Sequence, residues 1–255
     1  MASIEEKLPV VFVHGIRVSG TMWGPVRECV GDRHPTAAPD LPGHGARRGE
    51  PFTMAGAVEA VAGAVDRLGG RALVAGLSLG GYVAVATAHR HPGRVAGLVA
   101  MGCTLRPRGL LGAAYRGGAR LAAAHPEAAD RLSAWGMRRA LPGPPGEAMV
   151  RGGLSCEVVP SAVRAVHALD PAAALRTYPG PVWLVNGERD PFRRDERSFL
   201  SACREGRLYL LPRHGHLGPL ADPAAVARVV LDAASLAGAR PPGGPAACPA
   251  DRAAR

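Results

Sequence analysis

Lysine is almost missing from this chain: of 31 basic residues only Lys7 is a lysine and the rest are arginine. The formal net charge of +10 invites a nucleic-acid reading. Against it, the arginines are spread along the chain and aromatic residues make up only 4% of it, so no basic stripe interleaved with stacking rings is present. Arg116-Gly117-Gly118 and Arg151-Gly152-Gly153 match RGG elements in letters only and do not repeat. The Arg, Ala, Gly and Pro excess is read as base composition, and no nucleic-acid partner is expected. Long apolar runs are missing too: no 18 consecutive apolar residues occur, so no spanning helix and no membrane partner are expected. Met1 to Pro9 is polar and acidic, without a basic start and an apolar stretch, which predicts no secretory signal and a cytoplasmic location. Cysteine is sparse. Cys29, Cys103, Cys156, Cys203 and Cys248 are odd in number and widely spaced, which fits neither a disulfide framework nor paired metal ligands. Reduced thiols, no metal and no cofactor are the expectation.

What is present is enough apolar material for one doubly wound core. The chain has 255 residues, 47% of them hydrophobic and 20% charged. The most informative segment is Gly76-Leu77-Ser78-Leu79-Gly80. With 34 glycines in the chain the bare pattern says little, so its context must carry the reading. Ahead of it Arg71-Ala72-Leu73-Val74-Ala75 reads as a buried strand, and after it Gly81 to Arg90 has helical periodicity. Strand, tight turn and helix in that order present a serine hydroxyl at the end of a strand and the start of a helix, a nucleophile elbow.

A serine hydroxyl attacks only when a base takes its proton and a third group orients that base. Downstream, Val182-Trp183-Leu184-Val185 reads as a strand leading to Asp190, the candidate acid. Arg207-Leu208-Tyr209-Leu210-Leu211 reads as another, leading to His216, the candidate base. The 26-residue separation of the two leaves room for one helix and one strand. Glu188 is the alternative acid and His214 the alternative base. His14 and His44 are weaker candidates for a direct role, and Asp40 reads as a structural acceptor in a Pro-Gly turn.

The order Ser, Asp, His, together with Val10-Val11-Phe12-Val13-His14-Gly15 and Asp40-Leu41-Pro42-Gly43-His44-Gly45, resembles the α/β-hydrolase superfamily from about Leu8 to about Leu236. Within it, the wording around Ser78 is most like small serine esterases, enol-lactonases and carbon–carbon hydrolases. The resemblance implies an α/β fold, a doubly wound, mostly parallel sheet with a helical cap inserted after the sixth core strand. It places the oxyanion hole on the backbone amides of Ile16 and Leu79. It also favours His216, which follows Gly215 and precedes Leu217, over His214, and gives His14 a place in a loop-stabilising network.

Residues 1–104 are expected to form the first part of the core, 105–176 the cap, 177–237 the second part, and 238–255 a disordered tail. Leu110 to Ala124, Pro126 to Ala140 and Pro160 to Leu169 are the candidate cap helices, with a break at Pro142-Gly143-Pro144-Pro145-Gly146. Among the cap's apolar residues, Leu110, Leu111, Tyr115, Leu121, Leu132, Trp135 and Met137 are candidates for the pocket. Trp23 and Cys103 are further pocket candidates, each with a core role as the alternative. Arg17, and Arg193 with Arg194, place cations near the expected site and raise a preference for substrates bearing a carboxylate or phosphate; solvated arginines are the plainer reading.

The expected activity is hydrolysis of a small, largely apolar ester, lactone or thioester through an acyl-enzyme on Ser78. Two alternatives stay open: a lyase, cofactor-free oxygenase or cyclase that uses His216 as acid and base, and a ligand receptor on the same fold. The partner expected is a small molecule. Oligomeric state is not legible.

Overall fold

The protein is described here by a computed structural model covering residues 7–106, 117 and 124–240. Six strands form one sheet: β1 (Val10–Val13), β2 (Thr36–Ala37), β3 (Ala72–Leu77), β4 (Val95–Met101), β5 (Pro181–Gly187) and β6 (Glu205–Leu211). Their order is β2-β1-β3-β4-β5-β6 and every pairing is parallel. Parallel strands need crossovers, and helices supply them on both faces. This is why β1, β3, β4 and the first five residues of β5 read as apolar runs, and all four strands are buried at every position. At the sheet's edge β6 has no fully buried position and leaves Tyr209 and Leu210 exposed.

Successive side chains on a strand point to opposite faces, so the core splits in two. Val11, Val13, Val74, Leu98, Ala100, Val182 and Leu184 pack on one side against helices α2 (Met54–Arg67) and α3 (Leu79–Arg90). Val10, Phe12, Leu73, Ala75, Val99, Met101, Trp183 and Val185 pack on the other against α1 (Gly24–Val30) and the last helix.

Between β4 and β5 lie α4 (Pro126–Ala140), α5 (Pro144–Arg151), α6 (Val159–Ala168) and α7 (Pro171–Thr177). Each carries proline in its first turn, where a missing N–H costs nothing. The proline run breaks the stretch as expected, since α4 ends at Ala140 and α5 begins at Pro144 within the run. The candidate helix Leu110 to Ala124 lies, apart from Gly117 and Ala124, outside the described residues, as do Leu110, Leu111, Tyr115 and Leu121. Counted in this chain, the strand preceding the helical stretch is the fourth and not the sixth, because the described sheet has six strands in all. Helix α7 packs on α3 and gives Ala172, Ala174 and Leu175 to the core, although it falls within 105–176.

After β5 come α8 (Glu196–Ala202), then β6, the short α9 (Gly218–Ala221) and α10 (Pro223–Gly238). Helix α10 runs through Gly238, and residues 241–255 of the expected tail lie outside the described residues. The chain leaves β1 for β2 on one side and returns to β3 on the other, so the order in which strands are added reverses between β1 and β3. The crevice beyond the carboxyl ends of those two strands is where open α/β sheets hold ligands.

Candidate active site

Ser78 stands at that crevice, between the end of β3 and the start of α3. Its backbone has φ 57°, ψ −118°, a left-handed conformation that a non-glycine residue holds only when its surroundings over-determine it. They do so here. Ser78 N–H donates to the Met101 carbonyl at 2.8 Å, and the Ser78 carbonyl accepts from Gly81 at 2.9 Å. The flanking glycines are a packing requirement: a side chain on Gly76 would collide with the Gly80 carbonyl, and one on Gly80 with the Val13 carbonyl.

From Ser78 a hydrogen-bond chain runs inward. Ser78 Oγ lies 3.1 Å from His216 Nε2, and His216 Nδ1 lies 3.0 Å from Asp190 Oδ2 and 3.2 Å from Oδ1. A carboxylate only accepts, so His216 carries its proton on Nδ1 and offers Nε2 to the serine hydroxyl. Asp190 is 3% exposed and caps the turn Pro191–Arg193 by accepting from Phe192 N–H at 2.8 Å. The Phe192 ring packs on the His216 imidazole with centroids 4.4 Å apart.

The loops carrying Asp190 and His216 are stitched together. Glu188 N–H donates to Leu211 O at 3.0 Å and Arg189 N–H to His214 O at 2.8 Å. The alternatives are thereby occupied elsewhere. The Glu188 carboxylate accepts from Arg213 N–H at 2.9 Å, and His214 Nδ1 lies 2.8 Å from the Pro212 carbonyl. Arg193 is engaged as well, pairing with Glu196 at 2.6 Å and donating to the Glu188 carbonyl, which braces the acid loop.

On the other side of Ser78, the turn after β1 comes close; a Cβ built on Gly15 would lie 3.9 Å from Ser78 Cβ. The amides of Ile16 and Leu79 both flank this point, and among the described residues neither donates to a carbonyl. Leu79 opens α3, whose first N–H groups have no intrahelical partner and sit at the positive end of the helix dipole. The turn after β1 is pinned by His14. Its Nε2 accepts from Leu41 N–H at 2.9 Å, so Nδ1 holds the proton and donates to Gly15 O at 2.8 Å. Complete burial, with His44 beside it, pushes its pKa down to about 3, so His14 is neutral. Burial lowers His44 as well. Asp40 ties the same region by accepting from Gly20 and Ala46 N–H groups, both at 2.8 Å.

The pocket candidates fare differently. Trp23 is wholly buried against Phe12, with ring centroids 5.1 Å apart, and Cys103 is wholly buried against α3, which raises its pKa. Neither leaves surface for an open pocket. Trp135 and Leu132 are about two-thirds exposed, because helical spacing turns them away from the face of α4 that carries Asp130, Ser133 and Met137. Met137 is buried. Arg17 stays by the site, with φ 73° and its Nη1 donating to Ser133 Oγ of α4 at 3.1 Å.

Gly102 was not a candidate from the sequence. It follows β4 with φ +55°, and a Cβ there would lie 3.1 Å from Asp190 Oδ2 and 3.1 Å from His216 Cε1. A glycine just past a core strand was the available signal. Among the described residues no cluster of His, Cys, Asp and Glu is arranged to hold a metal, and no helix is long and apolar enough to cross a membrane.

A family model described as the alpha/beta hydrolase family matches residues 10–229. A pimeloyl-[acyl-carrier protein] methyl ester esterase of Nitrosomonas europaea is 38% identical over 96 residues; the match spans 37% of this chain and 37% of that relative's length. Among solved structures, a malate-bound thermophilic esterase from Thermogutta terrifontis aligns with a TM-score of 0.76 at 25% identity, covering 91% of this chain and 90% of that one. An enol-lactonase from Burkholderia xenovorans LB400 aligns with a TM-score of 0.73 at 19% identity over 89% of this chain and 91% of that one, a likeness of fold.

Proposed function

This chain belongs to the alpha/beta hydrolase family, and on that premise we propose that it is a serine hydrolase cleaving a small, largely apolar ester, lactone or thioester through an acyl-enzyme on Ser78. The observation that carries the reading is the continuous hydrogen-bond chain from Ser78 Oγ through His216 to Asp190. The esterase names of the relatives in sequence and structure support the reaction class.

In this mechanism His216 Nε2 takes the Ser78 proton as Oγ attacks the carbonyl carbon. Buried Asp190 holds the productive tautomer and stabilises the imidazolium. The Ile16 and Leu79 amides receive the oxyanion; one such donor is worth about 3 kcal/mol in the transition state. The imidazolium then gives its proton to the leaving group, and a water activated by His216 releases the acid. Helices α4, α5 and α6 act as the cap that bounds the substrate. Protein groups and water complete this chemistry.

Intact-mass detection of labelling by a fluorophosphonate tests the reading without assuming a substrate. One adduct is expected on the wild-type protein, none on Ser78→Ala, and strongly slowed labelling on His216→Ala. An unlabelled, folded wild-type protein would overturn the acyl-enzyme, and turnover that survives Ser78→Ala would assign the site to acid–base chemistry on His216.

A further inference from the structure

Arginine guanidinium groups grip carboxylates best along one edge, where Nε–H and Nη2–H point the same way and match the two carboxylate oxygens. Five arginines of this protein use that edge in full. Arg47 takes Glu50, Arg48 takes Glu157, Arg94 takes Asp66, Arg138 takes Glu147 and Arg193 takes Glu196. Arg17 does not. Its Nη1, on the opposite side, donates to the neutral hydroxyl of Ser133. Its Nε is closed off from solvent without an acceptor, and no carboxylate lies within ion-pair distance of it among the described residues. An unpaired, largely covered cation is costly to keep, so its empty edge calls for a reason.

Among the described residues no carboxylate is paired with Arg17. Asp130 and Glu157, the carboxylates on the adjoining elements, are both engaged by Arg48 from the core. Beside Arg17 a second polar group is also unsatisfied: Ser155, 1% exposed, donates its N–H to the Arg17 carbonyl at 2.9 Å while its own Oγ has no partner. Arg17 itself holds a left-handed backbone conformation, φ 73°, directly after Ile16, whose amide flanks Ser78. One peptide unit, about 3.8 Å between Cα atoms, separates the Arg17 backbone from Ile16.

We infer that Arg17 is a specificity residue that holds a second carboxylate on the acid side of the substrate, so that the preferred acyl donors are short dicarboxylic acids esterified at one end. This rests on the proposed serine hydrolase activity and names its substrate class. The incoming carboxylate takes the Nε and Nη2 edge, Ser133 keeps Nη1, and a slight shift of α4 opens the edge. The free hydroxyl of Ser155 is an additional donor from the neighbouring strand of chain.

Two chromogenic esters of equal reach test it: mono-p-nitrophenyl glutarate, with a free carboxylate, and p-nitrophenyl pentanoate, without one. The readout is the ratio of their kcat/KM values. Replacing Arg17 with Gln is expected to lower that ratio by about 10-fold or more, chiefly through KM for the glutarate ester. Arg17→Lys keeps the charge but not the fork and should fall between, whereas Arg131→Gln, on the outer side of α4, should leave the ratio at its wild-type value. An equal ratio in wild type and Arg17→Gln overturns the assignment. Fluorophosphonate labelling of each variant separates a misfolded protein from a changed preference. Should the wild type neither label nor turn over either ester, the hydrolase reading fails by itself, and calorimetric titration with glutarate decides the subsite. Binding that weakens about 10-fold in Arg17→Gln supports it; no binding, or equal binding, overturns it.

Discussion

Replacing Gly102 with alanine separates the geometry of the site from the stability of the fold. The residue has φ +55°, so any side chain there meets a left-handed backbone penalty of about 1–2 kcal/mol. In a chain of this size that lowers Tm by roughly 2–8 °C. The added methyl has a second effect. Its carbon would lie 3.1 Å from Asp190 Oδ2, 3.1 Å from His216 Cε1 and 3.2 Å from His216 Nδ1, some tenths of an ångström inside an ordinary contact. Neither neighbour is free to yield, since Asp190 is held by the Phe192 N–H and His216 is stacked on the Phe192 ring. The imidazole must move relative to Ser78, lengthening a 3.1 Å contact. A misplacement of about 1 Å can cost 10²-fold, so a shift of a few tenths is expected to lower kcat by about 10-fold, with KM little changed. Gly70→Ala is the control: it also has a positive φ, +84°, but nothing lies within 4 Å of its added carbon. Differential scanning fluorimetry and p-nitrophenyl butyrate hydrolysis are measured on both. Equal kcat in the two variants would refute the proposed contact between Gly102 and the His–Asp pair.

Asp190→Asn preserves the shape of the acid but gives His216 Nδ1 a donor to face, favouring the wrong tautomer; kcat should drop by about 10⁴-fold, and a loss under 10-fold would remove Asp190 from the proposed role. His14 makes the fold acid-sensitive. Because burial holds its pKa near 3 against an ordinary 6.5, the unfolded chain binds a proton that the folded protein refuses. Its contribution is complete above pH 6.5 and is lost as pH falls below that, by about 1.4 kcal/mol per unit and so about 2 kcal/mol at pH 5. His44 acts in the same direction. His14→Gln can keep both hydrogen bonds without titrating, and should flatten the dependence of Tm on pH between 7 and 5; an unchanged slope would show that other groups set it.

Strands β1, β3 and β5 and the order of the three candidate side chains were legible in the sequence for a simple reason, whereas the two-residue β2 was not. A parallel strand buried on both faces needs an unbroken apolar run, and a serine elbow needs small residues on either side; both are local requirements and leave local marks. Val10–Val13, Ala72–Leu77 and Pro181–Gly187 are of the first kind, and Gly76 with Gly80 of the second. The ends of those strands fall together because the sheet is parallel, so motif order alone places Ser78, Asp190 and His216 on one edge.

What the letters did not carry depends on where a side chain points after packing. Trp23 and Trp135 were equal pocket candidates by type, yet one is sealed against Phe12 and the other turned outward by the helical register of α4. Arg17 and Arg193 were equal cations by position. Tertiary structure gave Arg193 a partner in Glu196 and left Arg17 Nε without an acceptor among the described residues. Gly102 had no motif at all; its role arises from three strands' loops converging on one point. Local chemistry determined which residues reach the crevice, while long-range packing decided which of their polar edges were satisfied by the protein and which were left for a ligand.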